Sequence, residues 1–142
     1  MSHLFIYGTL RDHEVCEKVL GRHVSPDDLT EAYALDFATF KVADVSYPCL
    51  LPEAGGRAKG CLLTGLSERD LALLDKFEGA NYTRVPIEII CDDKAQMAEY
   101  YQPNQKLQTD GAWDLATWQR DGKGDFLALD FNIEGVRAPA HA

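Results

Sequence analysis

The sequence predicts an α+β domain whose sheet curls toward a barrel, and three observations carry that expectation. Short runs rich in β-branched and aromatic residues recur along most of the chain. Two or three other stretches carry apolar residues at helical spacing, without the strict alternation with strands that marks a parallel α/β sheet. The length, 142 residues, suits a single hydrophobic core, and 46% hydrophobic with 26% charged residues is an ordinary globular balance. One domain is expected over residues 1–135. The small, proline-interrupted residues 136–142 are expected to form a flexible C-terminal tail.

In chain order, Leu4-Phe5-Ile6-Tyr7 is an apolar and aromatic run that stops at Gly8, as a buried strand ending in a tight loop does. Asp12 is placed to cap a helix in which Val15, Val19 and Leu20 recur at helical spacing, and Gly21 offers a left-handed exit. Residues 32–50 gain β-branched and aromatic side chains, which predicts two or three strands broken at Tyr47-Pro48. Glu53-Ala54-Gly55-Gly56-Arg57 reads as a turn by composition, with residues 58–66 resuming as a strand to make a long hairpin. Ser67-Glu68-Arg69-Asp70 is a capping box with Asp in place of Glu, so a second helix starts near Glu68 and ends near Gly79. Residues 83–91 and 95–101 form a hairpin through Asp92-Asp93-Lys94, and residues 113–120 suit a short third helix.

Composition narrows function. A net charge of −9, with no cluster of Lys and Arg, argues against a nucleic-acid partner. The longest apolar runs fall far short of the roughly 20 residues that cross a bilayer. The start, Met1-Ser2-His3-Leu4, has no basic leader and already reads as strand, so a cytoplasmic protein with no membrane partner is expected. Cysteines 16, 49, 61 and 91 form no C-x-x-C pair and have no histidines at ligand spacing beside them, so reduced core thiols are expected, with no metal.

Glu78 is the most informative residue. It lies seven positions after Leu71 and four after Leu74, so an unbroken helix turns its carboxylate to their inward face. Burial there raises a carboxyl pKa and suits it to accept and return a proton. The other reading stays open: the helix frays at Phe77 and leaves Glu78 exposed and idle. Tyr7-Gly8-Thr9-Leu10 turns from strand to helix, and its N–H groups suit a carboxylate or an oxyanion, although glycine after a strand is also an ordinary turn. Tyr82 and Arg84, in Asn81-Tyr82-Thr83-Arg84, place a phenol and a guanidinium close behind Glu78 in sequence, where both are candidate substrate-binding residues; packing and surface pairing are the plain alternatives. Neither nucleotide-binding glycine motif is present. His3, His13, His23 and His141 form no triad pattern with Cys49 or a serine, which leaves covalent catalysis only to a tertiary pairing.

Tyr7-Gly8-Thr9-Leu10-Arg11, followed by Leu74-Asp75-Lys76-Phe77-Glu78-Gly79-Ala80-Asn81-Tyr82-Thr83-Arg84, resembles the γ-glutamylcyclotransferase-like superfamily, in the branch related to plant avirulence-induced gene products. With Tyr47-Pro48, residues 58–66, and Gly111-Ala112-Trp113-Asp114-Leu115 with Trp118, the resemblance runs from about residue 3 to about residue 130. It implies a small mixed β-barrel flanked by two or three helices, with a cavity at one end. It implies Glu78 as catalytic acid and base, Tyr7, Gly8, Thr9 and Leu10 as the substrate-holding loop, and Tyr82 as an aromatic wall. The implied reaction is a cofactor-free intramolecular aminolysis that releases 5-oxoproline from a small γ-glutamyl amino acid or γ-glutamylamine. A domain that keeps the cavity and senses such a metabolite without converting it is the alternative, and oligomeric state is left open.

Overall fold

A computed structural model describes residues 2–136 of the chain, so residues 137–142 of the expected tail lie outside the described residues. Six strands, β1 (Ser2–Ile6), β2 (Leu29–Val42), β3 (Pro48–Leu66), β4 (Tyr82–Cys91), β5 (Lys94–Pro103) and β6 (Thr109–Ala112), form one sheet. Pairing runs β3-β1-β5-β4-β2, and β2 pairs β3 again, which closes five strands into a barrel with β6 added beside β2. The β1–β5 pair is parallel and the other ladders are antiparallel, so the barrel is mixed. Closure removes the free edges that an open sheet would present.

Strand β1 explains why its apolar run is continuous. Successive side chains point to opposite faces. Phe5 joins Ala34, Leu50, Leu62, Ile89 and Ala98 in the barrel interior. Leu4 and Ile6 face outward and pack with residues of α1 (His13–Leu20) and α2 (Glu68–Glu78). Both faces are buried from Leu4 on, so no polar position interrupts that stretch. Gly60 of β3 is needed where β1 closes on β3, because a Cβ there would sit 2.4 Å from the Ile6 carbonyl oxygen and 2.7 Å from Phe5 Cζ. Gly60→Ala is expected to destabilise the fold by about 1–3 kcal/mol through overpacking, read as a lowered urea midpoint at unchanged m value.

The helices start and stop where their caps direct. Asp12 accepts from the Val15 N–H, and Gly21 ends α1 at φ 65°. Ser67 and Asp70 make both halves of the capping box on α2. Asp70 also takes a bidentate pair from Arg22, at 3.2 and 2.9 Å, which ties the exit of α1 to the start of α2. The α3 helix (Leu115–Asp121) is capped by Asp114, and a single turn, α4 (Lys123–Asp125), runs into a π-helical turn at Phe126–Asp130. None of the helices among the described residues is long and apolar enough to cross a membrane. The four cysteines are free thiols, and burial pushes Cys49 up to about 11 and Cys16 up to about 12.

One expected turn is a bulge. Residues 53–57 do not reverse the chain: Leu35 pairs Arg57 and Phe37 pairs Pro52, so Asp36 alone faces the extra residues of β3. Asp36 at φ 63° and Gly55 at φ 78° absorb the excursion, and the Gly55 N–H donates to Asp36 Oδ1 at 3.0 Å. The hairpin reverses instead just before Pro48, with Asp44 at φ 66°. The Asp92-Asp93 turn is as expected, and its positive φ values of 52° and 62° fit the two-residue hairpin turn that matches strand twist.

Candidate active site

A small cavity opens where β1 ends, between the 7–10 loop and the C-terminal end of α2. Tyr7, Gly8, Thr9, Leu10, Tyr47, Pro48, Glu78, Tyr82 and Tyr101 line it, with Phe77, Phe126 and Val136 closing its apolar side. Gly8 is required by close approach: a Cβ on it would lie 2.8 Å from Pro48 Cγ. After Gly8 the chain tightens into a 3₁₀ turn, Thr9–Arg11, whose first internal bond is Arg11 N–H to Gly8 O at 3.0 Å. The N–H groups of Thr9 and Leu10 precede that bond, and the first N–H groups of such a turn have no partner within it.

Tyr47 and Pro48 are held in place from the distal part of the chain. Asp130, buried, accepts from the Ser46 N–H at 2.7 Å and from its hydroxyl at 2.5 Å, and Trp118 Nε1 donates to Ser46 O at 2.5 Å. Val136 closes the far side, with its N–H donating to Phe77 O at 2.8 Å. The cavity volume is about 40 Å³, room for a water molecule or so.

Glu78 is the last residue of α2, and the helix does not fray before it: the Gly79 N–H closes on Asp75 O at 3.0 Å. Its carboxyl sits among phenols. Burial, then the charge of Asp75, push it up to about 8. A position at the negative end of a helix dipole acts in the same direction. The Tyr7 hydroxyl donates to Tyr101 O at 3.0 Å, and burial, then the charge of Glu78, raise Tyr7 well above the ordinary phenol range. The Tyr82 hydroxyl is buried beside that of Tyr47, without the geometry of a satisfied hydrogen bond. Burial likewise raises Tyr82 and Tyr101, so these phenols stay neutral as Glu78 ionises.

Residues 4–120 match the family described as Gamma-glutamyl cyclotransferase, AIG2-like. The chain belongs to this family. Within it, the chain is 33% identical to AIG2-like protein C of Arabidopsis thaliana over 141 residues, 96% of this chain and 80% of that relative. The solution structure of At5g39720.1 from Arabidopsis thaliana superposes with a TM-score of 0.68 at 27% identity, over 89% of this chain and 86% of that one. The solution structure of At3g28950.1, also from Arabidopsis thaliana, shares the fold at a TM-score of 0.67 and 24% identity, over 89% and 78% of the two chains. The expected mixed barrel with flanking helices is therefore the fold, and it is a cyclotransferase-like fold.

Against that family fold, the expected site residues divide. Glu78, Tyr7, Gly8, Thr9, Leu10 and Tyr82 come together around one cavity. Arg84 does not line it: its guanidinium grips Asp75 through Nε and Nη2, at 3.2 and 3.3 Å, and reaches Glu99 at 3.1 Å, in a shallow cleft beyond Tyr82. Sequence reasoning missed Asp75 and Tyr101, whose hydroxyl donates to Asp75 Oδ1 at 2.6 Å. The one available clue was Asp75 lying three residues before Glu78, the spacing of neighbours on a helix face. Arg84 thus neutralises the anion that raises Glu78. Arg84→Met is expected to push Glu78 higher still. A turnover assay against pH would read this as an acid limb moved to higher pH at little changed limiting rate, whereas a direct substrate contact would change KM instead.

Proposed function

We propose that the chain is an enzyme that releases 5-oxoproline from a γ-glutamyl amino acid or γ-glutamylamine, with Glu78 as general acid and base. The observation that carries this reading is the place of the Glu78 carboxyl in the cavity that the 7–10 loop helps to form, where burial pushes it up to about 8. A carboxyl near neutrality takes and returns a proton with little penalty in either direction.

The substrate's α-amine attacks its own γ-carbonyl carbon. A C–N bond forms to close the five-membered lactam, and the bond to the leaving nitrogen breaks. Glu78 accepts the proton that the attacking amine loses and delivers it to that departing nitrogen, so protons and bonds balance and no cofactor enters. The N–H groups of Thr9 and Leu10 are suited to the tetrahedral oxyanion, and the Tyr7 and Tyr82 rings to flanking the folded γ-glutamyl chain. Nucleophile and electrophile belong to one molecule, so holding that chain bent supplies much of the rate enhancement.

The test is 5-oxoproline release from a panel of γ-glutamyl amino acids, γ-glutamylamines and glutathione, with melting curves recorded on the same panel. Release from one class establishes the reaction and names its substrates. A second reading keeps the same cavity, about 40 Å³ with no ligand in it, and leaves out the chemistry. On that reading the domain senses a γ-glutamyl metabolite without converting it, and the panel would raise Tm with no product formed.

A further inference from the structure

Three side chains at the other side of α1 converge without any part in the cavity. His13 opens α1 and Glu17 lies one turn on, so helical spacing puts them on one face. Gly21, at φ 65°, then turns the chain back along the helix. That return brings His23 Nδ1 to 2.8 Å from Glu17 Oε2, with His13 Nε2 at 3.4 Å from the same oxygen. All three ligand atoms lie within 4.8 Å of one another. Zinc bonds of about 2.0–2.1 Å in tetrahedral geometry set ligand atoms about 3.3 Å apart, so the three atoms already bracket the edges of that figure.

We propose that His13, Glu17 and His23 form a binding site for a divalent transition metal of the zinc type. The donor set selects the class: two imidazoles with one carboxylate suit zinc and its neighbours, whereas magnesium and calcium take oxygen ligands. The Val24 N–H donates to Glu17 Oε2 at 2.7 Å, orients that carboxylate, and with the two histidines holds it in its ionised form. Val24 O lies 2.8 Å from His13 Nε2 and is a ready fourth ligand once the metal replaces the proton there. Both imidazoles are substantially exposed, with side-chain accessibilities of 48% and 77%, so they adjust to the metal without disturbing the core. The ion would staple α1, which follows directly on the 7–10 loop, to the connector that leads into β2. Sequence reading sought ligands beside the cysteines; the pattern that marks this site is a His and a Glu four apart on a helix, with a second His two residues past its glycine exit.

Titration of chelator-treated protein with Zn²⁺ alone tests the proposal and needs no turnover. Wild type is expected to bind one ion per chain and to gain roughly 5–10 °C in Tm at about 100 times Kd. His23→Ala, in an exposed connector, is expected to weaken Kd by at least about 10-fold and cut that gain to about half or less, as is His13→Ala, while Cys61→Ser changes nothing. Co²⁺ in place of Zn²⁺ should give a spectrum without a thiolate charge-transfer band. Absence of saturable binding, wild-type affinity in His23→Ala, or a thiolate band would each overturn the site.

Discussion

Glu78→Gln is expected to lower kcat for 5-oxoproline release by about 10²- to 10⁴-fold, the usual contribution of one positioned general acid–base. The amide keeps the shape and the hydrogen-bonding reach of the carboxyl but can neither take the amine's proton nor return it. KM should change little, because the proposed binding contacts come from the 7–10 loop and the tyrosine rings on the other sides of the cavity. In wild type, kcat/KM should rise with pH until the free enzyme's Glu78 is ionised, near its value of about 8. The residual activity of the glutamine variant should lack that limb, which separates Glu78 from the substrate's own amine. A variant that keeps more than a tenth of wild-type kcat at full folding would sink the proposed proton transfer, whatever the family.

What was legible in the sequence was local. Asp12, Ser67 with Asp70, and Gly79 bound their helices as read, because a cap is made by residues within one turn of each other. The inward turn of Glu78 followed from periodicity alone once the helix held to its last residue. The glycine pair at 55–56 was misread because glycine reports a positive φ or a close approach, not whether the chain reverses. Gly55 supplies the first at φ 78°, and Gly56 the second, since a Cβ there would lie 2.6 Å from Phe37 O.

Arg84 shows a different limit. It shares a face of β4 with Tyr82, but two residues of strand advance about 7 Å, which carries it past Glu78 to Asp75 nearly one helical turn earlier. Proximity in sequence could not reveal that offset between strand and helix. Phe126, Asp130 and Val136 were not legible as parts of the site, because they reach it only through long-range closure of the C-terminal segment over α2.

The same carboxyl that is proposed for chemistry should also write itself into stability. Glu78 moves from an ordinary 4.5 to about 8 on folding, so the folded state binds its proton more tightly than the unfolded chain does. The sign follows: its contribution is complete below about pH 4.5 and is lost as pH rises through about 8. At about 1.36 kcal/mol per tenfold, the full interval is at most about 5 kcal/mol; Glu78 is half-buried, so water at the carboxyl lowers the shift and this contribution together. Glutamine has no charge to bury. Glu78→Gln should therefore match wild type in urea unfolding near pH 4 and exceed it near pH 9, with most of the divergence between those points. This outcome is independent of turnover, so an inactive variant that also gains stability at high pH identifies burial of the carboxyl as the common cause. Parallel stability curves across that range would show instead that the carboxyl is solvated, and would remove the physical ground for Glu78 as a proton carrier near neutral pH.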